Sequence, residues 1–220
     1  MKLARGTFLL TFVSVAALSA FGYFFWASPK PWKQSFNSSL PAIKNIPSNN
    51  KEVVSRLKLK AALAKEYIAG HGFDRAHCFL LDMRIPSGKK RFFVYNLKKD
   101  SVEISGLVTH GSGSGYGPDG LVFSNQPNSY CTSLGKYRVG NSYNGTFGLA
   151  YKLYGLEQTN SKAFDRFVVL HSYSCVPDDE VFPYPICVSL GCPTVSPAFL
   201  SRLNKYITES RKPVLLWIYY

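Results

Sequence analysis

Hydrophobic positions change their spacing several times along the chain, and each change marks a boundary. From Thr7 to Ala27 the run is predominantly apolar and uncharged, with Phe8, Leu9, Leu10, Phe12, Val13, Phe24, Phe25 and Trp26 in it and Lys2 and Arg5 ahead of it. Such a run is long enough to cross a hydrocarbon core of about 30 Å, and basic residues before it hold the N-terminus on the cytoplasmic side. Residues 1–27 are therefore expected to be an export signal. The small residues Ala17, Ser19 and Ala20 make a poor cleavage site, which favours an uncleaved signal anchor over a cleaved signal peptide. Over residues 28–50 the prolines Pro29, Pro31, Pro41 and Pro47 break every period, as in a flexible tether. Helical spacing returns in Val53, Val54, Leu57, Ala61, Leu63, Ala64, Tyr67 and Ile68. It predicts an amphipathic helix over 51–72 with Asn50 as cap and Gly70 as stop, packed on the domain that follows.

At Cys78 the period becomes strand-like. Phe79 to Met83, Arg91 to Tyr95 and Val102 to Thr109 alternate between turn signals at Pro86-Ser87-Gly88-Lys89 and Lys98-Lys99-Asp100, which predicts a meander. Further strands are expected at Gly135 to Val139, Ala150 to Tyr154, Phe167 to His171 and Val214 to Tyr219. Ser196 followed by Pro197 is a helix start with its cap and its first-turn proline, continuing to about Glu209. Residues 73–220 are thus one domain, mainly β with a few helices (α+β), and long enough for one core.

The net charge of +13 is scattered, which suits a solvated basic surface or one drawn to an anionic polymer or membrane. Nucleic acid is disfavoured as a partner because the export signal carries the chain away from it. Five cysteines occur, so an oxidising compartment leaves at least one outside internal pairs. If Cys192 is that one, a disulfide between Cys175 and Cys187 would pin the segment joining His171 to Cys192; four unpaired thiols, with Cys78 and Cys131 among them, are the alternative.

That last segment carries the chemistry. His171 ends an apolar strand, Val168-Val169-Leu170-His171-Ser172, and Cys192 follows Gly191 in Val188-Ser189-Leu190-Gly191-Cys192-Pro193-Thr194-Val195. A thiol attacks as thiolate, so a nucleophilic cysteine needs a base and then polar hydrogens aimed at the developing oxyanion. His171 would be the base, and the amides of Gly191 and Cys192 would form the oxyanion hole, since Pro193 has no N–H to offer. Ser189 would orient His171 or fix the turn. A small buried cysteine and a core histidine are the alternative for each residue taken alone. No HExxH, HxxxH or CxxC element occurs, so neither metal nor organic cofactor is expected.

The order of these elements resembles the L,D-transpeptidases of bacterial cell walls. The closest likeness is to the divergent branch of murein L,D-transpeptidase catalytic domain proteins with a Ser-x-Gly-Cys-Pro-x-Val element, here Ser189 to Val195. The same branch has His110-Gly111-Ser112-Gly113-Ser114-Gly115, Phe123-Ser124-Asn125-Gln126-Pro127-Asn128-Ser129, Ser133-Leu134-Gly135 and Gly155-Leu156-Glu157. The resemblance implies a β-sandwich or barrel-like catalytic domain, an exported enzyme of the periplasm or cell envelope tethered to the cytoplasmic membrane, and peptidoglycan stem peptides as partners. It implies Cys192 and His171 as catalytic residues, His110 and Ser133 at the substrate, and 3→3 cross-links formed through a cysteine acyl-enzyme with release of D-alanine. Hydrolysis of the acyl-enzyme would make the chain an L,D-carboxypeptidase, and loss of the chemistry would leave a wall-binding module. Pro193 and Thr194 replace the polar residue and arginine that often follow this cysteine, so that arginine's carboxylate contact does not carry over. Residues 173–188, acidic at Asp178-Asp179-Glu180 and rich in proline, are expected to form a variable lid.

Overall fold

The computed structural model describes residues 50–115 and 120–220; the expected anchor and tether lie outside them. In chain order the elements are α1 (Asn50–His71), β1 (His77–Asp82), β2 (Phe92–Asn96), β3 (Ser101–Gly106), β4 (Gly135–Gly145), β5 (Gly148–Gly155), β6 (Val169–Ser172), β7 (Thr194–Val195), α2 (Pro197–Glu209) and β8 (Leu215–Tyr219). No helix among the described residues is long and apolar enough to cross a membrane.

All eight strands join one sheet in the order β3-β2-β1-β8-β4-β5-β6-β7. The sandwich-like arrangement expected thus takes the form of a single sheet with a core on each face. Pairing is antiparallel except between β1 and β8 and between β6 and β7. Side chains alternate between the faces of a strand, and the packing follows that alternation. Cys78 and Leu80 of β1 and Leu215 and Tyr219 of β8 pack with Leu57, Ala61, Ala64 and Ile68 of α1. Phe79 and Leu81, with Leu216 and Ile218, turn the other way and pack with Phe199, Leu200 and Leu203 of α2.

The buried stripe of α1 is narrower than its apolar pattern, since Val54 and Leu63 are exposed while Leu57, Ala61, Ala64 and Ile68 are not. Spacings of four, three and four residues keep those four on one side of the helix. The helix runs past Gly70 and stops before Gly72, whose φ of +70° suits glycine at a helix end. α2 begins as its sequence predicts, with Pro197 in the first turn and the Ser196 hydroxyl accepting from the Phe199 amide at 3.1 Å. β4 is longer than expected and, bulged between Val139 and Ser142, continues into a hairpin with β5.

One buried ion pair ties α1 to the sheet. The Asp82 side chain has no exposed surface, and its Oδ2 accepts from Arg56 Nε at 3.0 Å and Nη2 at 2.9 Å. Removing one partner of such a pair strands a buried charge, which costs about 3 to 5 kcal/mol. Arg56→Met is therefore expected to lower unfolding free energy by about that amount in urea titration. Glu52→Gln, which removes the exposed partner of the same guanidinium, should change it by less than about 1 kcal/mol.

Candidate active site

β6 and β7 lie side by side and in parallel, with His171 opposite Thr194 and Ser172 opposite Val195. Cys192 precedes β7 by two residues and so comes beside Val169, whose amide donates to the Cys192 sulfur at 3.4 Å. The thiol points to the Phe167 carbonyl oxygen at 3.6 Å. Phe167 is 78% exposed and sits in the left-handed region at φ +55°, a conformation that non-glycine residues seldom take away from functional loops.

His171 has a partner on each ring nitrogen. Nδ1 lies 3.1 Å from the Ser172 carbonyl oxygen and Nε2 lies 3.0 Å from the Thr194 hydroxyl. A carbonyl can only accept, so Nδ1 carries the hydrogen and Nε2 accepts from Thr194. The ring also stacks on Phe147 from the β4–β5 turn, with centroids 5.3 Å apart. Among the described residues no hydrogen bond joins His171, on β6, to Cys192, in the loop before β7.

The loop carrying Cys192 is held from both sides. On one side the segment after β3 runs along it: Ser189 N donates to His110 O at 2.9 Å, Ser112 N to Ser189 O at 2.7 Å, and Thr109 Oγ1 to Cys192 O at 3.2 Å. The glycine-rich stretch at His110 is therefore a strut for the cysteine loop. On the other side Gly191, at φ +115°, passes so close to Cys131 that a Cβ there would lie 2.9 Å from the Cys131 carbonyl oxygen. Only glycine combines that torsion with that approach.

Four of the residues singled out from sequence are engaged within the protein. Ser189 Oγ donates to Cys192 O at 2.6 Å and accepts from Gly191 N at 3.1 Å. It fixes the turn, and the group that orients His171 is the Ser172 carbonyl. The Gly191 amide is thereby committed to Ser189, so of the two amides expected at the oxyanion only that of Cys192 is left without a protein acceptor among the described residues. His110 and Ser133 are each 1% exposed. His110 Nδ1 meets the buried Arg91 guanidinium at 3.0 Å, and burial with that charge nearby pushes its pKa down to about 4.

Arg166 was not singled out from sequence and proves central. It lies half-buried before β6; Nη1 donates to Ser124 O at 2.9 Å, and Nη2 to Cys131 O at 2.7 Å and Ser129 Oγ at 3.3 Å. A further bond from Nη1 reaches Ser133 Oγ. These contacts, with Asn125 bonded to Gln158 O and Ser161 Oγ, explain the Phe-Ser-Asn-x-Pro-x-Ser stretch as the segment that Arg166 clamps. Thr194 was missed too, although strand alternation from Cys192 would have put it on the same side as the thiol. The expected disulfide between Cys175 and Cys187 is present, and Cys78, Cys131 and Cys192 are free. The segment it closes is no loose lid at its base: Val181 N donates to Gly88 O at 2.9 Å, and Val176 and Ile186 pack on Leu107.

No group of three or more potential metal ligands occurs among the described residues. No curated protein matches the chain. Among solved structures it is similar to an L,D-transpeptidase from Xylanimonas cellulosilytica, at 16% identity and a TM-score of 0.35 over 66% of this chain and 60% of that one. It is also similar to the helical cell shape determining protein Pgp2 from Campylobacter jejuni, at 13% identity and a TM-score of 0.40 over 73% of this chain and 55% of that one. The chain thus spans little more than half the length of either. The sequence pattern described as L,D-transpeptidase catalytic domain matches residues 49–219, most of the chain, and places this protein in that family.

Proposed function

We propose that this protein is an exported cysteine L,D-transpeptidase that forms 3→3 cross-links between peptidoglycan stem peptides. The observation that carries the reading is the pairing of β6 with β7, which sets a half-buried thiol two residues along from a histidine whose Nε2 is an acceptor. For the chemistry the Cys192 thiol must turn from Phe167 O toward Nε2, which receives the S–H proton. The sulfur attacks the carbonyl joining the diamino acid to the terminal D-alanine, and the Cys192 amide meets the resulting oxyanion. As the C–N bond breaks, imidazolium returns the proton to the departing D-alanine amine. An amine of a second stem peptide then attacks the thioester, losing its proton to Nε2, and the thiol is regenerated. Residues 1–27 would hold the domain at the cytoplasmic membrane, and the disulfide suits an oxidising envelope compartment.

Electrostatics favour a neutral resting pair. Burial pushes the Cys192 thiol above its ordinary value, against the opposing pull of the Val169 amide and the Arg166 charge. Burial pushes His171 below its ordinary 6.5. Arg166 forms no ion pair among the described residues, so its charge is available to the thiolate that forms during attack.

Incubation of the full-length protein with tetrapeptide-rich sacculi, followed by digestion and mass analysis, should yield 3→3 linked dimers; tripeptides with no such dimers would instead identify a carboxypeptidase. Intact-mass measurement with soluble tetrapeptide should show one acyl adduct that Cys192→Ala removes, and His171→Gln should slow its formation by about 10²- to 10⁴-fold. A base works only unprotonated, so the wild-type rate should climb with pH through the lowered His171 pKa. The midpoint of that climb is expected below 6.5, the ordinary histidine value. Arg166→Met removes a charge that favours the thiolate, so the pH midpoint of Cys192 alkylation by iodoacetamide should move upward; an unmoved midpoint would reduce Arg166 to a clamp.

A further inference from the structure

One face of the sheet is covered by α1 at β1 and β8, and from there toward the Cys192 loop it carries partly exposed rings and cations. Directly opposed residues on neighbouring strands project to the same face, and the register carries that face across the sheet. Lys136 and Arg138 of β4 oppose Trp217 and Leu215, which pack toward α1. Tyr154 opposes Arg138, Lys152 opposes Val169, and Ala150 opposes His171. That part of the α1 face and the His171 side chain are therefore on one side of the molecule.

A row of alternating cations and rings occupies this face. The Arg138 guanidinium lies 4.1 Å from the Tyr154 ring centre. Tyr154 stacks on Phe164 with centroids 5.2 Å apart and planes within 11°. Lys152 Nζ then lies 5.1 Å from Phe164 and 5.0 Å from Tyr143. Lys136, nearest α1, is neutralised by Glu157, whereas Arg138 and Lys152 have no carboxylate within ion-pair distance among the described residues. Asp165 follows Phe164 in the chain and is exposed but is not paired with them. Phe164 is 48% and Tyr143 38% exposed, so each keeps part of its ring surface free for a ligand. Aromatic faces hold the two cations in place, so little side-chain freedom remains to be lost when an anion arrives.

We propose that this row is a second contact for the polymeric substrate: an acidic glycopeptide strand lies along it, with carboxylates at Arg138 and Lys152 and sugar rings against Phe164 and Tyr143, while one stem peptide enters at Cys192. The proposal rests on the peptidoglycan reading above. Two features select this occupant. The net charge of +13, with two cations that have no carboxylate partner among the described residues, complements an acidic polymer. The row is also continuous with the strand pair that carries His171, so a bound strand would present its own side chains to the cysteine.

The test compares full-length wild type with Arg138→Gln/Lys152→Gln and with Phe164→Ala, each shown to fold by circular dichroism and melting temperature. Co-sedimentation with purified sacculi should weaken about five- to tenfold for the double variant and about threefold for Phe164→Ala, and rising salt should erode wild-type binding more than that of the double variant. Acylation of Cys192 by soluble tetrapeptide should stay within about twofold of wild type in every variant. Unchanged sacculus binding in folded variants would overturn the proposal, as would a loss confined to anionic lipid vesicles, which would assign the row to the membrane. Wild type that binds sacculi through the row but is never acylated by tetrapeptide would overturn the transpeptidase reading and leave the row standing as a wall contact.

Discussion

The guanidinium of Arg166 is the constraint on which the site depends. It stands at the entrance to β6, where it donates to acceptors spread from Ser124 to Ser133. That segment has little regular structure of its own, and its place in the fold is set by these bonds together with those of Asn125 and those that join Tyr130 and Thr132 to Gly111, Gly113 and Ser114. Cys131, one of the residues so held, is the wall against which Gly191 turns. Arg166 thus acts twice: its hydrogen bonds fix the wall that shapes the cysteine loop, and its charge biases the thiol. A lysine, with its donors on one nitrogen, could supply the charge but could not reach four acceptors with a planar fork.

The opposite wall is built differently, and the difference explains which parts of the fold are rigid by necessity. Thr109 and Thr194 exchange bonds, with Thr109 N donating to Thr194 O at 2.9 Å and Thr194 N to Thr109 Oγ1 at 3.1 Å. The strand-like run continues through His110, Gly111 and Ser112 against Ser189. The short β7 is therefore gripped along both edges, by β6 and by the segment after β3. Behind this wall lies the buried Arg91, whose donors go to the carbonyl oxygens of Ile85 and Val108 and to His110. A neutral His110 can accept from that guanidinium without adding a second buried charge.

Periodicity made most of the fold legible. Helix α2 begins at its cap and proline as expected because both signals act within one turn of chain. The meander of β1 to β3 was equally legible, since its turns are short and β1 and β2 are short apolar runs bounded by turn residues, as suits strands buried on both faces. The two-residue β7 was not, because no period can be read in Thr194-Val195; it exists through its partners on both edges. The Cys192 and His171 pair stood out through motif and order, and the chain's family follows from the same stretch. What sequence could not supply was the identity of the supporting groups. A backbone carbonyl, that of Ser172, orients His171, and nothing in residue types announces it. His110 and Ser133 are polar residues within recognisable motifs, and their burial is not readable from those motifs. Arg166 lies distant in sequence from everything it binds, without a motif of its own.

The directions of the two site pKa shifts bear on how the proposed chemistry would proceed. In many cysteine enzymes a preformed thiolate–imidazolium pair is stable because a charged partner lowers the thiol pKa. Here burial raises Cys192 and lowers His171, so both shifts oppose that ion pair. The resting thiol keeps its proton, directed at the Phe167 carbonyl, and Nε2 keeps its lone pair, occupied by Thr194. On the proposed mechanism, proton transfer then belongs to the attack itself, at the moment when the developing negative charge on sulfur and oxygen can be met by the Val169 and Cys192 amides and the Arg166 charge. A neutral pair is less reactive toward adventitious electrophiles than a standing thiolate, and in an oxidising compartment it is less readily oxidised. The burial that makes Cys192 a poor thiolate at rest thus ties its reactivity to the arrival of a carbonyl at the site.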